Sequence, residues 1–457
     1  MTSGVSTQQN LESRFETLLG PKGVFAESGI VERYAIDGVI PGLVVLPSDV
    51  EQISAILRLC FEQKWTVVPF GSGTQQYVGR ASEKVDVVLA TEKLNRVEAY
   101  DPGDLTISLQ AGVLVKSAVA ACAQHRQMLP IEAAEGTTIG GAAATAQSGP
   151  LRSSFGSIRD FCIGINFVTG DGVVGRGGGR VVKNVAGYDL MKLLIGSYGS
   201  LGVITSANFK VFPAPQQTIT LICEFDTLME ALALRDWVLR SPLSPMACEI
   251  MNSAALEYLH DSEARNPDDW APDASTRGGP CWKLALRFAG SDSVLSRIRR
   301  DLSPSVSSDL GGVEEAELWN QIGAFEQRLA QRHQNVMTFR VEAPIAESQS
   351  ALAAAQTAAT DNNFLAAVRG RATVGSFVIG FLPLAVDPPA VTQYVSAASD
   401  FRSRLSKAAS AVVVRCPREA KRHFDVWGSS PTDLELMQKV KRALDPGNIL
   451  NRDRFLF

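Results

Sequence analysis

The chain is poor in the residues that build metal sites and disulfides. Its 457 residues include four histidines, and its seven cysteines form no C-x-x-C pair. An odd number of scattered cysteines predicts neither a disulfide framework nor an iron–sulfur cluster. Several lie in apolar stretches, such as Cys60 between Leu59 and Phe61. We therefore expect buried thiols in a reducing compartment, with the cytoplasm as the default location.

Four further features are missing, and each argues against a class of protein. No apolar run is long enough to span a bilayer, and the first residues lack the basic and apolar regions of a signal peptide. The formal net charge is −4, without a long lysine or arginine cluster. No Gly-Lys-Ser/Thr sequence of a Walker loop occurs. We expect no transmembrane segment and no nucleic-acid partner.

Glycine, alanine and small hydroxyl residues are most concentrated in residues 134–213. Small side chains leave backbone amides accessible to a ligand, and glycine adopts the positive φ values of tight turns. Such a segment suits a large flat cofactor, for which a flavin dinucleotide is the candidate. A glycine-rich irregular sheet without any ligand explains the composition equally well.

A second glycine loop lies upstream and favours the flavin. It follows a short apolar run and reads Phe70-Gly71-Ser72-Gly73-Thr74-Gln75. Consecutive backbone N–H groups in a strand-to-loop turn form an anion-binding nest, to which hydroxyl groups add donors. The loop therefore predicts a pyrophosphate site, and two loops indicate the two ends of one cofactor.

One apparent dinucleotide signature is a hairpin instead. Residues 170–175 satisfy G-x-G-x-x-G, but the flanking sequences read as strands on both sides. Asp171-Gly172 between two β-rich runs is typical of a tight turn. A Rossmann site requires a helix to begin at the loop, and the three glycines at 177–179 argue against one.

The chain divides at Phe212–Pro215, where two prolines interrupt regular structure. Before this point, a capping box at Ser48–Glu51 predicts the start of a helix, and residues 117–127 predict another. Strands are predicted at 66–69, 85–89 and 105–112. After it, helical stretches at 228–239, 351–360 and 391–409 alternate with strands such as 282–288. An α+β fold is expected.

With both loops placed, the chain resembles the FAD-binding E subunits of bacterial glycolate oxidase, within the vanillyl-alcohol oxidase/p-cresol methylhydroxylase flavoprotein superfamily. The resemblance runs from about residue 46 to 215 and returns weakly at 427–428 and 441–451. Its most specific pieces are Gln127–Pro130, Thr138–Gly141, Gly156–Phe161, Val182–Leu190 and Gly199–Thr205.

The resemblance implies a two-subdomain FAD-binding domain in residues 1–215, an α+β cap or substrate domain in 216–425, and a C-terminal segment, 426–457, that returns to the FAD domain. It also implies which residues bind FAD. The pyrophosphate loop would be Phe70, Gly71, Ser72, Gly73, Thr74 and Gln75, and the rest of the cofactor would lie against Thr138, Gly140, Gly141, Ala144, Thr145, Ser148, Gly149, Gly202, Val203 and Ile204. The last three would present backbone to the flavin ring, with Val203 shielding it from water.

Departures from the family pattern carry predictions of their own. Thr74 stands where relatives that tether FAD covalently have a histidine, so FAD should be bound non-covalently. Tyr198 occupies a place where many relatives have glutamate, and the ending Asn451–Arg454 replaces Asn-Pro-Gly-Lys. The histidine pair that holds a metal in catalytic relatives is missing, because His125, His260, His333 and His423 are isolated. We expect no metal.

Individual residues outside the loops have weaker signals, and none is assigned as catalytic. Tyr188 and Asp189 are either a proton relay or a structural turn, and Arg159 and Asp160 are expected to form an ion pair. Arg180 and Lys183 either attract a substrate carboxylate or contact the FAD phosphates or solvent. Arg340, Arg371 and Arg415 in the cap are candidates for a clamp on the substrate carboxylate. Trp427 either covers the flavin or belongs to the core.

Two hypotheses of function follow from the resemblance. The first is a flavoenzyme subunit that oxidises a small 2-hydroxy acid, such as glycolate or D-lactate, and passes electrons to a partner. The second is a FAD-carrying assembly or electron-transfer subunit without its own substrate site. Implied partners are a homologous catalytic flavoprotein subunit and an iron–sulfur subunit, which would also hold the chain at the inner membrane. A nucleotide-sugar reductase on the same fold is a weaker third.

Overall fold

A computed structural model describes residues 12–180, 189–259, 282–385 and 387–456. The described residues divide into two compact units, one within residues 12–148, 155–214 and 430–456, and one within residues 149–154 and 215–429. After the domains that the resemblance implies, we call these the FAD unit and the cap unit. The sequence places boundaries after 215 and 425. Within the described ranges no helix combines the length and apolar character needed to cross a membrane.

Residues 12–19 are helical. The later helices of six residues or more in the described ranges are numbered here in chain order: α1 Val50–Gln63, α2 Val115–Ala123, α3 Ile139–Ala144, α4 Leu228–Arg240, α5 Asp292–Leu302, α6 Gly312–Gly323, α7 Phe325–Arg332, α8 Ser348–Asp361, α9 Val391–Arg404 and α10 Leu434–Leu444. The predicted helices at 228–239, 351–360 and 391–409 correspond to α4, α8 and α9.

The described part of the FAD unit contains a four-stranded and a five-stranded sheet. The first has the order β1-β2-β4-β3 and is parallel except for β1. The second is antiparallel, with the order β5-β6-β10-β8-β9. Their strands are β1 Val24–Phe25, β2 Leu43–Val45, β3 Val67–Phe70, β4 Val87–Ala90, β5 Val97–Asp101, β6 Thr106–Gln110, β8 Cys162–Val168, β9 Val174–Gly178 and β10 Val203–Lys210. A separate antiparallel pair joins β7 Gln127–Met128 to β11 Phe212–Pro213.

Helix α1 shows how local chemistry sets an element's limits. The predicted capping box at Ser48 is wrong by one residue, since Asp49 is the cap and accepts from the Gln52 amide at 2.8 Å. The Gln52 side chain in turn accepts from the Ser48 amide at 2.8 Å. The helix ends where Lys64 takes a left-handed φ of 59°. Buried apolar side chains at helical spacing then fix its packing on the first sheet.

The hairpin interpretation of residues 170–175 is confirmed. Strands β8 and β9 pair antiparallel from Val168 opposite Val174, and Gly172 has a φ of +82° in the turn between them. A tight turn, and not a helix, therefore follows β8, which rules out a Rossmann site there.

The predicted helix at 117–127 is shifted to Val115–Ala123, because Gln127 already belongs to β7.

The cap unit is built on an eight-stranded antiparallel sheet in its described residues, with the order β15-β12-β14-β13-β17-β18-β16-β19. One face packs against helices α4, α5, α8 and α9, and the other carries α6 and α7 over part of its area. The strands are β12 Thr218–Phe225, β13 Ala247–Asn252, β14 Trp282–Ala289, β15 Ser308–Leu310, β16 Met337–Glu342, β17 Phe364–Arg371, β18 Ser376–Pro383 and β19 Ser410–Arg415.

Candidate functional site

The first glycine loop begins where β3 ends at Phe70. Gly73 has a φ of +80°, and a Cβ atom there would lie 2.6 Å from Cζ of the Phe70 ring. A Cβ atom on Gly71 would overlap Oγ1 of Thr138. Both positions therefore require glycine, one for its backbone conformation and one for close approach to the second segment. Ser72, Thr74 and Gln75 complete the loop, and Thr74 Oγ1 lies 3.3 Å from Thr137 Oγ1.

The second segment is helix α3, whose Gly140 allows close packing against Ala111. Thr138 caps helix α3 by accepting from the Gly141 amide at 3.1 Å. The Gly140 amide donates to the Ala111 carbonyl at 2.7 Å, and a Cβ atom on Gly140 would lie 2.7 Å from that of Ala111. Further along, Thr145 donates to the Gly141 carbonyl at 2.9 Å. The predicted residues Thr138, Gly140, Gly141, Ala144 and Thr145 thus form one short helix with its end against the loop.

The third segment opens β10 with Gly202, Val203 and Ile204. The side chains of Val203 and Ile204 are buried in the two hydrophobic cores on either side, so this segment offers a ligand its backbone rather than its side chains. That position does not match the predicted role of Val203 as a shield over the flavin ring. Ser148 belongs to the FAD unit and Gly149 to the cap unit.

Two orphaned polar atoms indicate that these segments face a polar ligand. Gln147 Oε1, beside Thr145 and Ser148, is buried with no hydrogen-bond partner among the described residues, and so is Thr205 Oγ1, directly after Ile204. Buried polar atoms normally have partners, so unpaired ones call for an explanation. A cofactor rich in donors and acceptors fits this cradle of bare backbone, hydroxyls and orphaned oxygens.

The sequence reasoning missed how strongly the C-terminal segment is held. Lys441 and Asp445 are both buried and lie one helical turn apart, with Nζ 2.6 Å from Oδ2. Lys441 also donates to the Ser200 carbonyl at 2.8 Å, and Asp445 accepts from the Leu450 amide at 2.8 Å. Burial lowers the pKa of Lys441 while Asp445 opposes that shift. The i,i+4 spacing of Lys441 and Asp445 is the feature of the sequence from which this pair could have been predicted.

In the cap unit, charged side chains from three segments meet on one face of the sheet. Glu249 on β13 lies opposite Arg371 on β17, and Arg369 is two residues away on the same face. The Arg369 Nε atom lies 2.9 Å from Glu249 Oε2, with side chains 6% and 0% exposed. Arg371 bonds to Ser376, whose hydroxyl donates to Glu342 at 2.7 Å. Burial first, and Arg369 second, lower the pKa of Arg371 to about 10.

Glu342 extends this cluster toward solvent. Its Oε1 lies 3.3 Å from Arg152 Nη1, and both side chains are partly exposed. Three cations, Arg152, Arg369 and Arg371, thus accompany two carboxylates, Glu249 and Glu342. Arg369, Arg371 and Glu249 form the buried end of this group. Burial raises the pKa of Glu249, against the influence of both arginines. We call these five residues the arginine cluster.

The other predicted candidates have mixed outcomes. Of the carboxylate-clamp arginines, Arg371 belongs to the arginine cluster, whereas Arg340 pairs with Glu326 at 3.1 Å. Arg415 is half-buried at the end of β19. The expected pair of Arg159 and Asp160 is wrong, because Asp160 accepts from the amide and hydroxyl of Ser157 in a capping box. A capping carboxylate turned toward its own helix start is not available to the neighbouring side chain.

The remaining five predicted residues lie near the second loop and near the C-terminus. Asp189 forms an exposed pair with Lys192 at 2.6 Å, and Arg180 is exposed. Tyr188 and Lys183 lie outside the described residues. Trp427 is half-buried against the larger core of the cap unit, in agreement with the core interpretation.

Histidines and cysteines occupy separate places. His333 lies 2.6 Å from the Tyr258 hydroxyl, His423 approaches Glu419, and His125 stacks edge-on against Tyr100. His260 and Cys281 lie outside the described residues. The other six cysteines are buried, as predicted, and burial raises the pKa of Cys162 and of Cys223 to about 12. The absence of a metal site remains a prediction.

Comparison with known families defines the class of protein. Residues 41–178 match the FAD binding domain family, and residues 420–454 match the C-terminal domain of FAD linked oxidases. Among solved structures, p-cresol methylhydroxylase superposes with a TM-score of 0.76 at 18% identity, over 99% of this chain and 97% of that one. These matches support a FAD-dependent oxidoreductase. The chain has the p-cresol methylhydroxylase fold, and FAD is its cofactor. The predicted fold class is confirmed.

Two relatives in sequence are both 2-hydroxy acid oxidoreductases by name. The chain is 26% identical to a probable mitochondrial D-lactate dehydrogenase of Danio rerio, over 98% of this chain and 92% of that protein. It is 39% identical to the glycolate oxidase subunit GlcE of Escherichia coli over 183 residues, which are 39% of this chain and 51% of that subunit. Similarity to both supports the oxidoreductase class without choosing between the two types.

Proposed function

We propose that the chain is a FAD-dependent oxidoreductase subunit that acts on a small 2-hydroxy acid, such as glycolate or D-lactate, and passes electrons to a partner. The two relatives named above support this substrate class through their names. The FAD-binding cradle supports the redox role, since bound FAD supplies a two-electron acceptor. A cytoplasmic location is part of this proposal.

The arginine cluster is the observation that carries the substrate class. Its buried end places two guanidinium groups beside one carboxylate on the face of the cap sheet. Guanidinium groups bind carboxylates through paired hydrogen bonds, and burial strengthens that attraction. The anionic end of a 2-hydroxy acid would restore the charge balance there. Arg369 and Arg371 would hold the substrate carboxylate, and the buried sheet face would exclude water from it.

Substitution of Arg371 by methionine tests this assignment. We expect the dissociation constant of glycolate or D-lactate, measured by the perturbation of the bound flavin's absorption spectrum, to rise by about 10- to 100-fold. The flavin content should not change. Arg297→Met on the exposed side of α5, where the side chain is 65% exposed, serves as the matched control. Equal dissociation constants for both variants and the wild type would contradict the proposal.

One observation favours the second candidate, a FAD-carrying subunit without substrate turnover. Glu249 already sets its own carboxylate against Arg369, in the place that an anionic substrate would need. If the cluster is filled in this way, wild-type protein should show no spectral response to 2-hydroxy acids. Glu249→Gln should then create a response to small carboxylates, because it frees Arg369. A wild-type response at millimolar acid would exclude this candidate.

Non-covalent attachment of FAD is proposed on the position of Thr74. Its hydroxyl faces Thr137 at 3.3 Å, and a hydroxyl offers no route to the histidyl bond of tethered relatives. Acid precipitation should therefore release the flavin into the supernatant. Yellow colour that stays with the precipitated chain would contradict this.

The proposed partners are a homologous catalytic flavoprotein subunit and an iron–sulfur subunit. Support comes from the relative named as a subunit of glycolate oxidase. The six cysteines in the described residues are free and buried, so the iron–sulfur cluster is proposed to lie in a partner. Tagged full-length chain should co-purify with both subunits when the three are co-expressed, and recovery of the chain by itself would count against the complex.

A further inference from the structure

The side chain of Arg454 lies in the interior of the FAD unit and contacts the segment after the first glycine loop. One Nη atom donates to the carbonyls of Gln76 at 2.5 Å and Val78 at 2.7 Å. The other donates to the side-chain oxygens of Gln76 and Asn451, each at 3.2 Å. The residue is 4% exposed. Its guanidinium therefore fixes three acceptors on residues 76–78.

The backbone of the same residue closes on the same segment. The Arg454 carbonyl accepts from the Arg80 amide at 3.0 Å. Gly79 has a φ of +101°, and a Cβ atom there would lie 2.6 Å from that carbonyl. A glycine is needed at 79 to let the C-terminal segment approach this closely. Residues 76–80 are thus held from the side chain and the main chain of one residue.

Short turns transmit this restraint to the proposed pyrophosphate loop. The Gln76 amide donates to the Gly73 carbonyl at 3.3 Å, and the Val78 amide donates to the Gln75 carbonyl at 3.1 Å. The Gln76 side chain also donates to the Pro69 carbonyl at 3.3 Å, at the end of β3. Residues 69, 73 and 75 flank or belong to the loop. Any shift of residues 76–78 would therefore displace the backbone that faces the cofactor.

Asn451 links the same guanidinium to the other glycine segment. Its Nδ2 donates to the Tyr198 carbonyl, and its amide donates to the Val67 carbonyl at 2.9 Å. The Val67 amide in turn donates to the Ile449 carbonyl at 2.8 Å. The C-terminal segment therefore lies between β3 with its loop and residues 196–202. Asn451 and Arg454 belong to the ending Asn451–Arg454, which is where this chain departs from the Asn-Pro-Gly-Lys pattern.

We propose that Arg454 is a positioning residue for FAD, which holds the loop of residues 71–75 in its binding conformation through Gln76 and Val78. Preorganised binding loops lower the cost of ordering on binding. The inference concerns cofactor affinity and is independent of the substrate proposed above. No role in the redox reaction is assigned to Arg454.

The test measures the release of FAD from the holoprotein after dilution. The fluorescence of free flavin, which rises as FAD dissociates, monitors this release. Arg454→Met should raise the FAD dissociation constant by about tenfold or more, because several charge-assisted hydrogen bonds are lost. Arg454→Lys keeps a cation but not the planar fork, and we expect about a threefold rise. Hydrogen exchange of amides 71–78 should accelerate in the same order.

Arg452→Met is the matched control, since Arg452 bonds only to the Asn448 carbonyl at 2.7 Å among the contacts described for its side chain. It should leave FAD release unchanged. If Arg454→Met does not fold, Arg454→Lys decides the matter. A dissociation constant within twofold of the wild type for the folded Arg454 variants would overturn the proposal, as would an equal effect of Arg452→Met.

Discussion

The two units of this chain build their candidate sites from opposite materials. In the FAD unit, the site consists of glycines, small hydroxyls and bare backbone, brought together by segments that are each continuous in sequence. In the cap unit, it consists of charged side chains from separate strands, with Glu249 and Arg369 set side by side by sheet register. A cofactor site of the first kind leaves a sequence motif, whereas a charge cluster of the second kind does not.

The largest expected effect comes from a charge in the motif-built site. Gly73→Asp should abolish flavin binding, because a side chain at φ +80° would collide with Phe70 and a carboxylate would repel the pyrophosphate. The measurement is the flavin-to-protein absorbance ratio after purification. Gly20→Asp is the control, since Gly20 also has a positive φ, of 71°, but has nothing within 4 Å of a built Cβ atom. Flavin retained by Gly73→Asp would contradict the assignment of this glycine loop to the cofactor site.

A smaller effect should follow from the buried pair that anchors the C-terminal segment. Asp445→Asn should lower the free energy of unfolding by about 3 kcal/mol, because Lys441 would keep its buried charge without a counterion. Urea unfolding of the holoprotein measures this. Glu435→Gln, in the exposed pair with Lys439 on the same helix, should have no measurable effect. Similar losses of unfolding free energy in both variants would show that burial does not determine how much an ion pair stabilises this chain.

The sequence predicted local structure in the FAD unit better than it predicted the charge cluster of the cap unit, and particular residues show why. Asp171-Gly172 is a local turn signal, and the hairpin formed as expected. Arg340 looked as suitable as Arg371 for a carboxylate, yet Glu326 on α7 pairs with it. Glu249 and Arg369 are 120 positions apart, and only the pairing of β13 with β17 makes them neighbours. Long-range register leaves no local signal.

The smallest expected effect is a pH dependence from the arginine cluster. Burial raises the pKa of Glu249 on folding. A carboxyl with a raised pKa binds protons more strongly in the folded state, so its stabilising contribution is complete below the unfolded pKa of about 4.3 and is lost as the pH rises through the folded pKa. As the pH rises above about 4.3, wild-type stability should therefore fall relative to Glu249→Gln.

Chemical denaturation at a series of pH values provides this comparison. Glu317→Gln, at an exposed position on α6, should keep the wild-type profile. Parallel profiles for the wild type and Glu249→Gln would mean that the Glu249 carboxyl is fully compensated by its arginines. The cluster would then be a closed ion-pair network rather than an unbalanced one.

The most direct test of the proposed function is anaerobic bleaching of the bound flavin at 450 nm by a panel of 2-hydroxy acids, with the isolated chain and with its partner subunits. We expect slow bleaching or none with the isolated chain, and rapid bleaching by glycolate or D-lactate once the partners are present. If no 2-hydroxy acid reduces the flavin of this chain faster with the partners than without them, the proposed function is contradicted.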